Sequence, residues 1–172
     1  MLNDEKRLPK EDFDREFERA LDMIYSIGLK LYRGNEDDAA DFVQSLYPFA
    51  LRQSHKFSGR SAFSTWLYRV AWNFGLEDLR RKKRLVTETI DNYDIAAAEH
   101  EAEFDELEIA DLRKHISALP DSYRLPLIML FYENMGYAEI SSLTGIKEGT
   151  LKANVHRAKA ILRQKLGKGG AS

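Results

Sequence analysis

The stretch TGIKEGTLKANVHRAK, residues 144–159, decides the fold of the C-terminal part of the chain. Gly145 suits the left-handed backbone that ends a helix, and Thr150 is placed to cap the next helix through its hydroxyl. At about 100° per residue, one side of that second helix is apolar, with Leu151, Val155, Ala158 and Leu162. The other side carries Lys152, Ala153, His156, Lys159, Ala160 and Arg163, with Arg157 at its edge.

Two short helices that meet across a turn, the second basic on its outer side, predict a helix–turn–helix unit that enters a DNA major groove. The alternative is a helical hairpin whose basic side is merely solvated. The rest of the chain also favours helices, because apolar residues recur at three- and four-residue spacing and the alternation of strands is scarce. We therefore predict an all-α protein.

The predicted helices follow this periodicity along the chain. The first is one apolar stripe from Phe13 to Leu31, stopped by Gly34-Asn35. The others cover residues 37–52, 62–84, 107–119, 123–134, 137–143 and 150–166. Pro126 falls near the start of its predicted helix, where a missing N–H costs little.

Charge is distributed unevenly behind a net value of −2. Residues 88–111 hold ten acidic residues and no Lys or Arg, which leaves 26 basic residues against 18 acidic ones elsewhere. The basic residues cluster at 80–84 and along 147–168. This layout predicts two modules that meet a polyanion, joined by an acidic segment that does not. The predicted divisions are a helical domain at 1–85, a flexible acidic linker at 86–108, a helix–turn–helix domain at 109–168 and a disordered tail at 169–172.

Several classes of protein are disfavoured by the residues that are missing. The chain has no cysteine, and its four histidines lack metal-ligand spacing. Serine-hydrolase, P-loop and dinucleotide motifs are also missing, so we expect no enzyme, no metal site and no cofactor. The N-terminus is charged and no apolar run is long enough to cross a bilayer. We therefore expect a cytoplasmic protein.

A second informative stretch, KFSGRSAFSTWLYRVAWNFGLEDLRRKKR, covers residues 56–84 and reads as a loop followed by a long helix. Apolar residues cover most of that helix, which predicts burial in a bundle, with Phe63, Trp66 and Phe74 in the core. The exception is a polar stripe of Arg69, Asn73, Glu77 and Arg80. This stripe, ending in basic residues, is suited to a phosphate backbone, and the preceding loop is suited to an unstacked base.

Three segments in order carry a family resemblance. They are DDAADFVQSLYPFALRQ at 37–53, FSGRSAFSTWLYRVAWNFGLEDLRR at 57–81, and LPDSYRLPLIMLFYENMGYAEISSLTGIKEGTLKANVHRAKAILRQKL at 119–166. Together they resemble the small extracytoplasmic-function (ECF, group IV) sigma factors of bacterial RNA polymerase, of the sigma-70 family. The resemblance implies a sigma-2-like bundle and a sigma-4-like helix–turn–helix domain, with the acidic linker threading through the polymerase.

The resemblance also implies a function and a set of binding residues. The protein would bind core RNA polymerase through its clamp helices and flap, direct it to promoter DNA, and help to melt the −10 element. An anti-sigma factor is a further implied partner. The clamp contacts would be Asp41, Gln44 and Leu46. The −10 contacts would be Phe57, Ser58, Arg60, Ser61, Arg69, Asn73, Arg80 and Arg81. The −35 contacts would be Thr150, Lys152, Ala153, His156, Arg157 and Lys159.

The chain departs from the family pattern at several places, of which Glu77, where Asp is usual, is a small change. Gln44-Ser45 stands where Gln-Glu is usual, Pro48 is expected to interrupt a helix that the family keeps continuous, and Ala153-Asn154 replaces a common Ser-Arg pair. Two alternatives stay open, the first because of the stretch GTLK at 149–152 and the second because of Ser45 and Pro48. One is a DNA-binding regulator with a helix–turn–helix of the response-regulator type. The other is a degenerate sigma-like protein that binds polymerase or an anti-sigma factor without starting transcription.

Overall fold

The computed structural model describes residues 8–85 and 106–167, which fall in two compact units, Met1–Glu88 and Thr89–Ser172. The first unit contains α1 (Lys10–Arg19), α2 (Leu21–Leu31), α3 (Glu36–Gln53), a 3-10 turn (Ser54–Lys56) and α4 (Phe63–Leu85). The second contains α5 (Glu106–Ser117), α6 (Asp121–Phe131), α7 (Tyr137–Thr144) and α8 (Glu148–Gly167). Every regular element in the described residues is helical, so the predicted all-α class is confirmed.

Parts of the predicted organisation fall outside these residues. Of the linker placed at 86–108, residues 86–105 lie outside the described part, and 106–108 begin α5. The tail placed at 169–172 also lies outside it. Among the described helices, none is long and apolar enough to cross a membrane.

The core of the first unit is formed where α2, α3 and α4 pack together. Gly28 of α2 allows a close approach to α3, because a Cβ atom there would lie 3.1 Å from the Cα atom of Ala39. The buried residues of α3 are Ala39, Phe42, Leu46 and Ala50. Those of α4 include Phe63, Leu67, Ala71, Trp72 and Leu76. The predicted core positions Trp66 and Phe74 are half-buried.

The single apolar stripe from Phe13 to Leu31 is divided between two helices, so the prediction of one helix was wrong. The division falls at Ala20, whose N–H bonds back to the Phe17 carbonyl at 3.0 Å. Phe13, Phe17 and Ala20 are all buried. The break therefore follows from packing, because α1 contacts α2, α3 and α4 together. No Gly or Pro marks it in the sequence.

The predicted interruption at Pro48 was also wrong, since α3 runs without a break from Glu36 to Gln53 with this proline inside it. Asn35 caps the helix, and its side chain accepts a hydrogen bond from the Asp38 N–H at 3.0 Å. Pro48 lies on the exposed side of α3. There its ring meets solvent instead of a neighbouring helix, and a helix bends most easily on its solvent side.

The second unit packs α5, α6 and α7 against α8. Its core holds Leu119, Met129, Ile140, Leu151 and Ala158, all almost fully buried. Arg124 is buried as well, and its guanidinium bonds to the Asp121 carboxylate at 2.9 Å. Because α6 begins at Asp121, two residues before the predicted start, Pro126 lies inside the helix and not near its first turn.

Candidate nucleic-acid interface

The turn between α7 and α8 has the geometry that the opening stretch predicted. Gly145 adopts the left-handed conformation with φ 74°, and its N–H bonds to the Ser141 carbonyl at 2.9 Å. The Thr144 hydroxyl donates to the Ile140 carbonyl at 2.7 Å and accepts from the Ile146 N–H at 3.2 Å. These bonds hold the two helices of the helix–turn–helix at a defined turn.

The predicted capping role of Thr150 was wrong. Helix α8 begins at Glu148, so Thr150 is its third residue and is exposed. The Lys147 carbonyl already accepts the Leu151 N–H at 3.0 Å. The earlier start is favoured because the carboxylate of Glu148 lies in the first turn, next to the positive end of the helix dipole.

The outer side of α8 presents one exposed surface, which we call the recognition face. It consists of Lys152, Ala153, His156, Arg157 and Lys159. Two of its ammonium groups lie near aromatic rings: that of Lys152 is 5.5 Å from the Tyr137 ring centre, and that of Lys159 is 4.8 Å from Phe131. The Lys152 ammonium is also 4.0 Å from a carboxylate oxygen of Glu148. The recognition face is therefore basic, with lysines held by neighbouring side chains.

Asn154 does not join the recognition face. It is half-buried, and its side-chain amide donates to the Ser122 carbonyl in α6 at 3.1 Å. This hydrogen bond links α8 to the start of α6 and helps to fix the position of α8, and with it the recognition face, relative to α6. Sequence reasoning missed it, because the two residues are 32 positions apart and no local pattern connects them. It also missed the buried Arg124–Asp121 pair, which the spacing of three residues on α6 could have indicated.

The polar stripe of α4 is exposed at all four predicted positions, Arg69, Asn73, Glu77 and Arg80. Beside it, Asp78 bonds to the Arg81 guanidinium at 2.7 Å and to the Lys82 ammonium at 3.1 Å. Asp78 was not predicted to matter, although its spacing of three and four residues from these cations could have indicated the pairs. It fixes two cations at the end of α4.

Tyr32, the residue that follows α2, completes this cluster. Its hydroxyl donates to Asp78 at 2.7 Å, and the Lys82 ammonium lies 4.5 Å from the centre of its ring. Burial, together with the adjacent carboxylate, raises the pKa of Tyr32. Burial would also raise the pKa of Asp78, but hydrogen bonds from Tyr32, Lys82 and Arg81 outweigh it and hold that pKa below 3.8. Asp78 therefore stays a carboxylate near neutral pH.

The loop before α4 exposes Ser58, Arg60 and Ser61, and Gly59 turns it with φ 70°. Phe57 is half-buried, with its ring centre 5.5 Å from that of Phe63 and 5.7 Å from that of Trp66. The start of the loop is thus held in place, because the Phe57 ring packs against Phe63 and Trp66 of α4. An exposed arginine, two hydroxyls and a partly open ring are groups that can hold an extruded base.

The predicted clamp-binding positions on α3 do not all reach the surface. Asp41 and Gln44 are exposed, but Leu46 is completely buried. Leu46 lies four residues from both Phe42 and Ala50, so helical spacing puts it on the core side. Leu46 is therefore a core residue, and assigning it a surface contact was wrong. The exposed side of α3 also includes Ser45, Pro48 and Arg52.

Comparisons with known proteins match both units. The family model described as sigma-70 region 2 matches residues 17–85, and the model described as sigma-70, region 4 matches residues 109–162. The chain is 30% identical over 152 residues to the ECF RNA polymerase sigma factor SigE of Mycolicibacterium smegmatis, a match that covers 86% of this chain and 58% of SigE. It is 29% identical to SigW of Bacillus subtilis, with 84% and 83% of the two chains covered.

The fold also matches a solved structure of the sigma factor RpoE in complex with the anti-sigma factor NepR from Bartonella quintana. The TM-score is 0.61 at 24% identity, and the match covers 92% of this chain and 98% of that one. The two family models match separate parts of the chain, in the order region 2 and then region 4. The chain therefore belongs to the sigma-70 family and is an ECF sigma factor.

Proposed function

We propose that this protein binds core RNA polymerase, directs it to promoters with a two-part sequence, and helps to melt the −10 element. Sigma factors are transcription initiation factors, and nothing in this role requires catalysis by the chain itself. The observation that carries the proposal is the presence of two exposed basic surfaces on separate units, the recognition face of α8 and the stripe of α4 with its preceding loop.

The recognition face would read the −35 element in the major groove. Arg157 and Lys152 are the side chains suited to guanine edges or phosphates, and the exposed methyl group of Ala153 is suited to a thymine methyl. A good base contact discriminates by about 1–3 kcal/mol, while phosphate contacts add a salt-dependent and sequence-independent term. Thr150, His156 and Lys159 remain proposed contacts at the edges of the same surface.

The first unit would act on the −10 element. Phe57, Ser58, Arg60 and Ser61 would receive an extruded base, and the α4 stripe would hold the strands through Arg69, Asn73, Arg80 and Arg81. Unstacking a base costs a few kcal/mol, which pocket contacts offset. Because a single chain carries both units, the first promoter contact raises the effective concentration of the second.

The remaining parts of the proposal concern partners and place. Asp41 and Gln44 would contact the polymerase clamp, and the acidic linker, being repelled by DNA, would occupy a basic channel in the enzyme. An anti-sigma factor would control access to these surfaces, as NepR binds RpoE in the related complex. The protein would work in the cytoplasm, where polymerase and promoters are found.

The test is run-off transcription with sigma-free core polymerase on a genomic library of the source organism, followed by sequencing of transcript starts. We expect starts that share a two-part upstream motif. The variant Lys152→Ala with Arg157→Ala should abolish these starts while leaving core binding intact. Lys10→Ala with Arg19→Ala, at two exposed positions of α1, serves as the charge-matched control. If no transcript appears although the protein alone binds duplex DNA at physiological salt, the proposed promoter-directing function fails. A DNA-binding regulator that acts without polymerase then becomes the better hypothesis.

A further inference from the structure

Two helices of this protein contain an interior proline, Pro48 in α3 and Pro126 in α6. Proline has no N–H, so each one deprives the carbonyl four residues earlier of its helical donor. The two carbonyls affected are those of Gln44 and Ser122. A carbonyl in this state remains a strong acceptor, and it is satisfied by water, by a side chain or by a partner.

In the second unit the fold itself supplies the replacement donor. The Ser122 carbonyl, released by Pro126, accepts the side-chain amide of Asn154 at 3.1 Å. Asn154 comes from α8, a different helix, and lies 32 residues further along the chain. A proline in one helix has thus created an acceptor for a side chain from outside that helix.

In the first unit the corresponding acceptor lies on the surface. Gln44, Ser45 and Pro48 are all exposed on the same side of α3. Pro48, four residues after Gln44 in α3, has no N–H to donate to the Gln44 carbonyl. The ring of an interior proline displaces the carbonyl of residue i−4, and carbonyls on the solvent side of a helix tilt outward. Both effects turn this acceptor toward solvent, where a second molecule can reach it.

The surroundings of this carbonyl indicate the chemistry of that molecule. The Asp41 carboxylate and the Gln44 side-chain amide are exposed beside it, and the first turn of α3 adds Glu36, Asp37 and Asp38. Arg52 is the one exposed cation on this side of α3, which therefore carries an excess of acceptors and negative charge. Its complement is a surface that presents cationic N–H donors, for which the guanidinium group of arginine is the best suited.

We propose that the main-chain carbonyl of Gln44, released by Pro48, accepts a hydrogen bond from a basic side chain of core RNA polymerase. This inference rests on the proposed function, because it names a further contact on the surface that would bind the clamp. It gives the exposed proline of α3 a role, because Pro48 would add a main-chain acceptor beside the side-chain amide of Gln44.

The test replaces Pro48 in the full-length protein and measures both thermal stability and affinity for sigma-free core polymerase. Pro48→Ala and Pro48→Val each restore the N–H, and valine keeps an apolar side chain close to the ring in size. We expect both variants to unfold at a temperature higher by about a few degrees, because a helical hydrogen bond returns. We expect both to bind core about tenfold to a hundredfold more weakly.

Opposite changes in stability and affinity are a result that a purely structural proline would not produce. Pro9→Ala is the control, since Pro9 is exposed and precedes α1, where its replacement returns no N–H to α3; its affinity should equal that of the unchanged protein. Equal affinity for all variants would overturn the inference, and so would weak binding by Pro48→Ala alone, which would assign the contact to the ring. Failure of the unchanged protein to bind core would instead refute the proposed function, and the inference with it.

Discussion

At the residue scale, Asp78 shows how one carboxylate organises a basic surface. Its side chain is only 12% exposed, and it accepts hydrogen bonds from Tyr32, Arg81 and Lys82. The Tyr32 hydroxyl is the only uncharged donor of the three. Removing it therefore weakens the cluster without changing the net charge of the surface.

We predict that Tyr32→Phe lowers the free energy of unfolding of the first unit by about 1 kcal/mol at pH 7, the usual contribution of one such hydrogen bond. Both tryptophans, Trp66 and Trp72, lie in α4. Urea denaturation followed by tryptophan fluorescence therefore reports this unit. Tyr25→Phe, at a half-buried tyrosine of α2, is the matched control and should change stability less.

The pH dependence of this cluster has a definite sign. Asp78 has a pKa held below its ordinary value of 3.8, so it binds its proton less readily in the folded protein than in the unfolded chain. Its stabilising contribution is complete above the ordinary pKa and is lost as the pH falls from there through the lowered pKa. The stability difference between the unchanged protein and Asp78→Asn should be constant from pH 7 to about pH 5 and shrink in acid. A difference that grows as the pH falls would contradict this assignment.

At the scale of elements, α1 is joined by aromatic rings to the loop before α4. Phe13 is completely buried, and its ring centre is 5.4 Å from that of Phe63, which in turn lies 5.5 Å from Phe57. The floor of the loop is thus supported by a helix more than forty residues earlier in the chain. The position of Phe57 depends on this support.

We predict that Phe13→Ala lowers the free energy of unfolding of the first unit by about 3–5 kcal/mol, since it leaves a large cavity under the loop. Phe13→Leu, which keeps most of the volume, should lose much less. Denaturation followed by tryptophan fluorescence compares the two. Equal losses would mean that ring packing, and not cavity volume, dominates at this site.

The link between α6 and α8 can be tested with a double-mutant cycle on Asn154 and Pro126. In the unchanged protein, Asn154→Ala should lower the free energy of unfolding of the second unit by about 1 kcal/mol, because the Ser122 carbonyl loses its donor. In a Pro126→Ala background the restored N–H serves that carbonyl, so the same change should have almost no effect. Thermal unfolding followed by circular dichroism gives the four values, and strictly additive losses would exclude the coupling.

At the scale of the whole molecule, DNA binding should combine a salt-dependent part with a sequence-dependent part. For the complete holoenzyme on promoter DNA, we predict that Lys152→Ala reduces the slope of log affinity against log salt by about 1, if its ammonium neutralises one phosphate. His156→Ala should leave that slope unchanged and alter the preferred −35 sequence. Filter binding over a salt series, with a library of −35 variants, separates these two effects.

Much of the molecule followed from local pattern. Helical spacing predicted the exposed stripe from Arg69 to Arg80, and Gly145 predicted the turn of the helix–turn–helix. Predictions about single positions were less successful. Leu46 is buried, and the stripe that includes Ala20 is broken there. Both outcomes depend on which neighbouring helix packs against a given side, and three- and four-residue spacing contains no information about that neighbour.

The sequence by itself determined that the chain forms helices, where most of them lie and which sides are basic, because these properties depend on residues three or four positions apart. Only the tertiary structure decided which acceptors are satisfied inside the protein. Asn154 reaches the carbonyl of Ser122 across 32 residues, whereas Gln44, four residues before Pro48, is exposed on α3. The physical reason is that a proline removes a donor locally, while the replacement donor comes from whatever part of the fold, or of a partner, packs against that helix.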